Sequence, residues 1–147
     1  MTTATEKLEE LRKARADKDA KRAEARAEQE LQDELAIEPL RDQYGDGLAV
    51  VVLNVHFEGL PVLAAAEPAG PALMRRHRAS IKVNVKDKGT TVEGSAEAAE
   101  QLARSCLKYP EPDVFARMCE KAPGLASQLG QEVAKVAAAK SYDDAKS

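Results

Sequence analysis

Hydrophobic and polar positions alternate in three different ways along the chain, and each way predicts a different kind of structure. Residues 5–36 contain neither Gly nor Pro and are dominated by Ala, Glu, Lys and Arg, all strong helix formers. Large apolar residues occur there only near the ends, at Leu8 and Leu11 and then at Leu31, Leu35 and Ile37. Between them Ala16, Ala20, Ala23 and Ala27 recur at helical spacing. This predicts a long charged helix over residues 1–38 with little to bury. Thr5 is a candidate N-cap, with Glu6, Glu9 and Glu10 near the positive end of the helix dipole. Glu9 with Lys13 and Arg26 with Glu30 are opposite charges one turn apart. Alanine makes a poor coiled-coil knob. The helix is therefore expected either to stand in solvent or to dock on a partner or on its own copy. Pro39 disfavours helix at Glu38 and predicts a boundary, with residues 39–47 as a linker.

The second pattern begins at Leu48. Residues 48–57 are β-branched and apolar, with Val50 and Val52 on one face and Val51, Leu53 and Val55 on the other, so a strand covered on both sides is expected. Glu58-Gly59 supplies a turn and Leu60 to Ala65 a returning strand, which makes a β-hairpin. Pro71 predicts the start of a short helix ending near Ser80. Ile81, Val83 and Val85 alternate with Lys82, Asn84 and Lys86, predicting a half-buried strand closed by Asp87-Lys88-Gly89. Thr90 to Glu93 is expected as a further short strand or the arm of a loop.

The third pattern is helical again. Ser95 is a candidate N-cap, followed by an apolar face of Ala98, Leu102, Cys106 and Leu107. Tyr109-Pro110-Glu111-Pro112-Asp113 breaks that helix. Val114, Phe115, Met118 and Cys119 form the next amphipathic turns, with Asp113 as candidate cap. After Ala122-Pro123-Gly124, the residues Leu125, Leu129, Val133 and Val136 line one face of a last helix. Residues 48–140 therefore read as a compact α+β domain: a hairpin or short sheet followed by a C-terminal cluster of three helices. Residues 141–147 read as a disordered tail.

Composition changes this picture in two ways. Of the 147 residues 44% are hydrophobic but only 3% aromatic, so the core has to be built mainly from Ala, Val and Leu and is expected to be thin. The net charge of −3 offers no general attraction to nucleic acid. One local run, Arg75-Arg76-His77-Arg78 with Lys82, is basic, but no aromatic residue is interleaved to stack bases. Nucleic acid is therefore not the expected partner.

The chain holds two histidines and two cysteines. Cys106 and Cys119 do not have metal-site spacing and are expected as free thiols. Neither His56 nor His77 has a second ligand at metal spacing. Nucleotide-binding glycine loops, zinc-protease and hydrolase-elbow motifs do not occur. No catalytic residue, cofactor or metal is expected. No apolar run reaches the ~18 residues of a membrane span, and the polar, acidic N-terminus does not read as a signal peptide. A cytoplasmic protein is expected.

The order "helix, Tyr109-Pro110, acidic–Pro turn, short helix, Pro123-Gly124-Leu125, last helix" in residues 99–125, preceded by an apolar hairpin at 48–66, resembles the tail assembly chaperones of long-tailed bacteriophages. The resemblance covers residues 45–139. The charged helix is longer than in that family, and Ser80 to Glu93 reads as an insertion. The resemblance implies a non-enzymatic protein that binds the helical tape-measure protein in the host cytoplasm and keeps it soluble until the tail tube encloses it. Leu102, Leu107, Tyr109, Phe115, Met118, Leu125 and Leu129 are the candidate partner-binding residues. The alternative is a structural or adaptor protein of a phage or tail-like particle, located in the virion and using the N-terminal helix as an arm.

Overall fold

The computed structural model describes the backbone of residues 3–88 and 91–146, and side chains within 3–83 and 95–139. Helix α1 runs unbroken from Ala4 to Tyr44, 41 residues, or about 60 Å at the standard rise. Its cap is Thr3, not Thr5. The Thr3 hydroxyl accepts the Glu6 N–H at 3.2 Å, and the Glu6 carboxylate accepts the Thr3 N–H at 3.4 Å. This reciprocal box requires Glu three residues after the cap, and only Thr3 meets that condition among the threonines here.

The helix also passes through Pro39, so residues 39–44 are helical and the expected linker shrinks to the 3-10 turn Gly45–Gly47. A proline inside a helix costs ~3 kcal/mol. Against this, Ile37 is fully buried just before it, and Leu40 and Tyr44 pack on the same cluster just after it. Fully burying one large aliphatic side chain contributes roughly 1.5–3 kcal/mol. The partial burial of Leu40 and Tyr44 adds to this and tips the balance toward helix. Gly45 then ends α1 at φ +54°, a conformation that side chains resist.

Strands β1 (Ala49–Val52) and β2 (Leu63–Ala66) form the expected antiparallel hairpin, with Val50 opposite Ala65 and Val51 opposite Ala64. The strands are shorter than the apolar runs, because residues 53–62 form the connection. A third strand, β3 (Leu107–Tyr109), pairs antiparallel with β2, giving the order β1-β2-β3. The periodicity of the sequence predicts Leu107 on a helix. That helix instead ends at Cys106, and a cis peptide links Tyr109 to Pro110.

Helix α2 (Pro71–Lys88) starts at Pro71 as expected but continues through the predicted strand at 81–86. Val83 is exposed on it. Alternating β-branched residues favour a strand only where a pleated surface awaits them. Here α2 lies along α3 (Thr91–Cys106) instead. Ser95 falls inside α3 and is not its cap. Of the segments expected to be a turn at 87–89 and a strand or loop arm at 90–93, Gly89 and Thr90 lie outside the described residues, and Thr91 to Glu93 are helical. Helix α4 (Pro112–Lys121) carries Pro112 in its first turn, with Glu111 at the cap position expected for Asp113. Helix α5 (Leu125–Lys146) extends through most of the expected disordered tail; Ser147 lies outside the described residues.

The sheet is covered on both faces. On one side Ala49, Val51, Ala64 and Ala66 meet Leu102, Ala103, Cys106, Phe115, Met118, Leu125, Leu129 and Val133 from α3, α4 and α5. On the other, Leu48, Leu63 and Ala65 close over Ile37 of α1. The alanines are what let these layers approach. Gly130 of α5 lies so near α3 that a Cβ built on it would stand 1.8 Å from the Ala99 carbonyl oxygen. Small residues thus replace bulk with close contact, and interior density does not depend on large side chains.

Candidate partner-binding surface

The second half of α1, from Arg26 to Tyr44, is fastened to the hairpin by both polar and apolar side chains. Arg26, Gln29, Asp33, Ile37, Leu40 and Tyr44 recur at intervals of three or four and share one helical face. Asp33 is completely buried. Its Oδ2 accepts the Val62 N–H at 2.8 Å, and its Oδ1 accepts Gln29 Nε2 at 2.9 Å and the Tyr109 hydroxyl at 2.5 Å. A buried carboxylate is tolerated only with such partners. Two turns nearer the N-terminus, Arg26 donates from Nη2 to the Leu53 carbonyl at 2.6 Å and from Nε to Glu30 at 2.7 Å. At the other end of this stretch, the Tyr44 hydroxyl donates to Glu67 at 2.9 Å, and Lys108 approaches the same carboxylate at 3.4 Å.

These contacts set the phenols' chemistry. Burial, and then the hydrogen bond and charge of Asp33, push the Tyr109 hydroxyl well above the ordinary tyrosine range. The hydrogen bond to Glu67 raises Tyr44. Burial drives the Cys106 thiol up to about 11 and also raises Cys119. Neither thiol is poised as a nucleophile, which needs the thiolate. Both cysteines are free.

The seven candidate partner-binding residues divide sharply by burial. Leu102, Phe115, Met118, Leu125 and Leu129 are at most 3% exposed and form the domain's own core. Tyr109 is half-buried but occupied with Asp33. Leu107 is half-buried and, with the edge of Phe115, lines an open cleft of about 470 Å³ whose walls include Pro112, Cys119 and Pro123. Arg104, Glu100 and Glu120 stand at this cleft. The structure therefore unites Leu107 and Phe115 at one surface and encloses the other leucines.

The large apolar residues noted at the two ends of the charged helix, not counted among the partner-binding candidates, separate by exposure. Leu31 and Leu35 are 61% and 66% exposed, on the side of the helix opposite Asp33. Leu8 and Leu11 are also exposed, on the part of α1 that runs free of the domain. The signal was available: leucines four apart, out of phase with Asp33 and Ile37, cannot share their buried face.

Among the described residues no group of three or more His, Cys, Asp or Glu side chains is placed to hold a metal ion, and no helix is long and apolar enough to cross a membrane. No protein-family model, curated protein or solved structure matches the chain.

Proposed function

We propose that this protein is a non-enzymatic binding module that acts as a tail assembly chaperone, holding the apolar helical segments of a tape-measure protein in solution before the tail tube forms. The observation that carries this reading is α1. About half of it is locked to the sheet by Arg26, Asp33, Ile37 and Tyr44, while its outer face presents Leu31 and Leu35 and its free half presents Leu8 and Leu11. A long helix held at one end, bearing leucines among charges, suits recognition of another helix. The charges keep the complex soluble while the leucines cover apolar surface that would otherwise aggregate. The cleft at Leu107 and Phe115 is a second apolar surface on the same molecule.

The test is co-expression with a tape-measure protein from the same genome. The expected result is a soluble complex, and insoluble tape measure when this chain is omitted or carries Leu31→Glu with Leu35→Glu. Soluble tape measure and normal tails without this chain would remove the proposal.

The projecting half of α1 also favours a second reading, an adaptor of the mature particle that uses this helix as an arm. A stoichiometric band in purified particles supports the adaptor, and absence from them supports the chaperone.

A further inference from the structure

Where α1 passes the connection between β1 and β2, Lys21, Arg22, Ala23, Ala25 and Arg26 face Asn54, Val55, His56 and Glu58 across an open cleft of about 560 Å³. That volume falls within the range of ligand sites. One nitrogen on each side is shielded from solvent without a hydrogen-bond partner: Arg26 Nη1 and His56 Nε2. The other two guanidinium nitrogens of Arg26 are committed to Glu30 and to the Leu53 carbonyl. Leaving two buried nitrogens unpaired is costly, and a ligand oxygen that reached each of them would relieve that cost.

We propose that this cleft binds a carboxylate side chain of a partner protein, taken by Arg26 Nη1 and by His56 Nε2 in its donating tautomer, with an apolar neighbour of that side chain resting on Val55. Binding requires the imidazole and the guanidinium to turn toward the cleft, the guanidinium giving up its bond to Glu30 in exchange for the incoming carboxylate. Lys21 and Arg22 supply attraction at the rim. The surroundings select a single carboxylate over a phosphate chain. Glu58 lines the cleft, and Glu24, Glu28 and Glu30 follow along α1, so a polyanion meets repulsion beyond its first charge. Val55 is 58% exposed and Ala23 and Ala25 lie beside it, an apolar floor that a peptide side chain covers and a phosphodiester does not. A charge-assisted, two-point hold of this kind gives orientation as well as affinity.

This site goes beyond the proposed chaperone role and requires no tape measure, so either idea can fail while the other stands. The experiment uses the full chain in solution, followed by nuclear magnetic resonance of its backbone amides and histidine side chains. The probe is a capped hexapeptide with one glutamate flanked by leucines. Its glutamine counterpart and a twelve-nucleotide oligothymidylate serve as comparisons. We expect saturable shifts at His56 and at the amides of residues 53–58. The glutamine peptide and the His56→Leu variant should each bind about tenfold more weakly, the loss of one charge-assisted bond. Val55→Asp, at an exposed position that leaves the fold intact, should weaken binding in the same way. The inference is overturned if the glutamate peptide causes no saturable shift, if the glutamine peptide or either variant binds equally well, or if the oligonucleotide binds more tightly.

Discussion

Arg26 and Asp33 complete the hydrogen bonding of the same hairpin, from two turns apart on α1. Arg26 donates to the Leu53 carbonyl at 2.6 Å, and Asp33 accepts the Val62 N–H at 2.8 Å. Leu53 and Val62 are themselves joined, Leu53 N–H to Val62 carbonyl, at 2.7 Å. The helix thus satisfies the two backbone groups that the ladder leaves over just after β1 and just before β2. Replacing Asp33 by Ala strips acceptors from Val62, Gln29 and Tyr109 together. We expect a loss of about 3 kcal/mol in urea unfolding, from buried donors left unpaired. Tyr109→Phe, which removes one of those bonds, should cost about 1 kcal/mol.

The fastening begins at Arg26, and this predicts how truncation behaves. Deleting residues 1–20 should leave the midpoint of thermal unfolding almost unchanged while lowering helical circular dichroism. Deleting residues 1–40 removes Asp33 and Ile37 and uncovers Leu48, Leu63 and Ala65. That form should be largely unfolded or aggregated.

Gly130 tests the close crossing of α3 and α5. Gly130→Ala would drive a Cβ to 1.8 Å from the Ala99 carbonyl oxygen, backbone that cannot turn aside. The expected cost is about 3 kcal/mol, at the upper end for overpacking. Gly124→Ala meets nothing within 4 Å and should change stability little. Denaturant titration of the two variants separates the outcomes.

Core and surface leucines should respond oppositely. Leu129→Ala opens a cavity at a fully buried site and should cost 2–5 kcal/mol by roughly the usual scale for such truncations. Leu31→Glu and Leu35→Glu lie on exposed helix and should stay within about 0.5 kcal/mol of the parent. A loss of partner solubility in the second pair then reports binding rather than unfolding.

Stability should fall in alkali. Cys106 and Tyr109 both have folded values raised above their ordinary ones, Cys106 from 9.0 to about 11. Their uncharged forms are favoured by folding, so this contribution is complete below about pH 9. It declines as pH rises through 9 to 11 for Cys106, and above 10 for Tyr109. Urea midpoints measured from pH 8 to 11 should decrease. A thiol reagent at pH 8 should modify half-buried Cys119 well before Cys106, which reacts only on unfolding.

The hairpin, the start at Pro71 and the faces of the last two helices were legible because each rests on local periodicity. Val51 and Val50 point to opposite layers as alternation requires, and Leu125, Leu129 and Val133 share one buried face. β3 was not legible: three residues are too few to show a period, and its pairing partner lies some forty residues away at β2. That Leu102, Leu125 and Leu129 are enclosed within the domain was not legible for a related reason. An amphipathic stripe marks what is buried, but cannot say whether the cover is another part of the same chain.

Thus the order of residues alone determined the long charged helix, the two-sided hairpin and the amphipathic character of the C-terminal helices, since these follow from neighbours three, four or two positions apart. Only the folded molecule decided that α1 survives Pro39, that Ile81 to Lys86 is helix, and that Asp33 is buried. Those outcomes depend on Ile37 finding the sheet, on α3 lying beside α2, and on Val62 and Tyr109 meeting one carboxylate. Each is a contact between segments distant in sequence, where burial outweighs local preference.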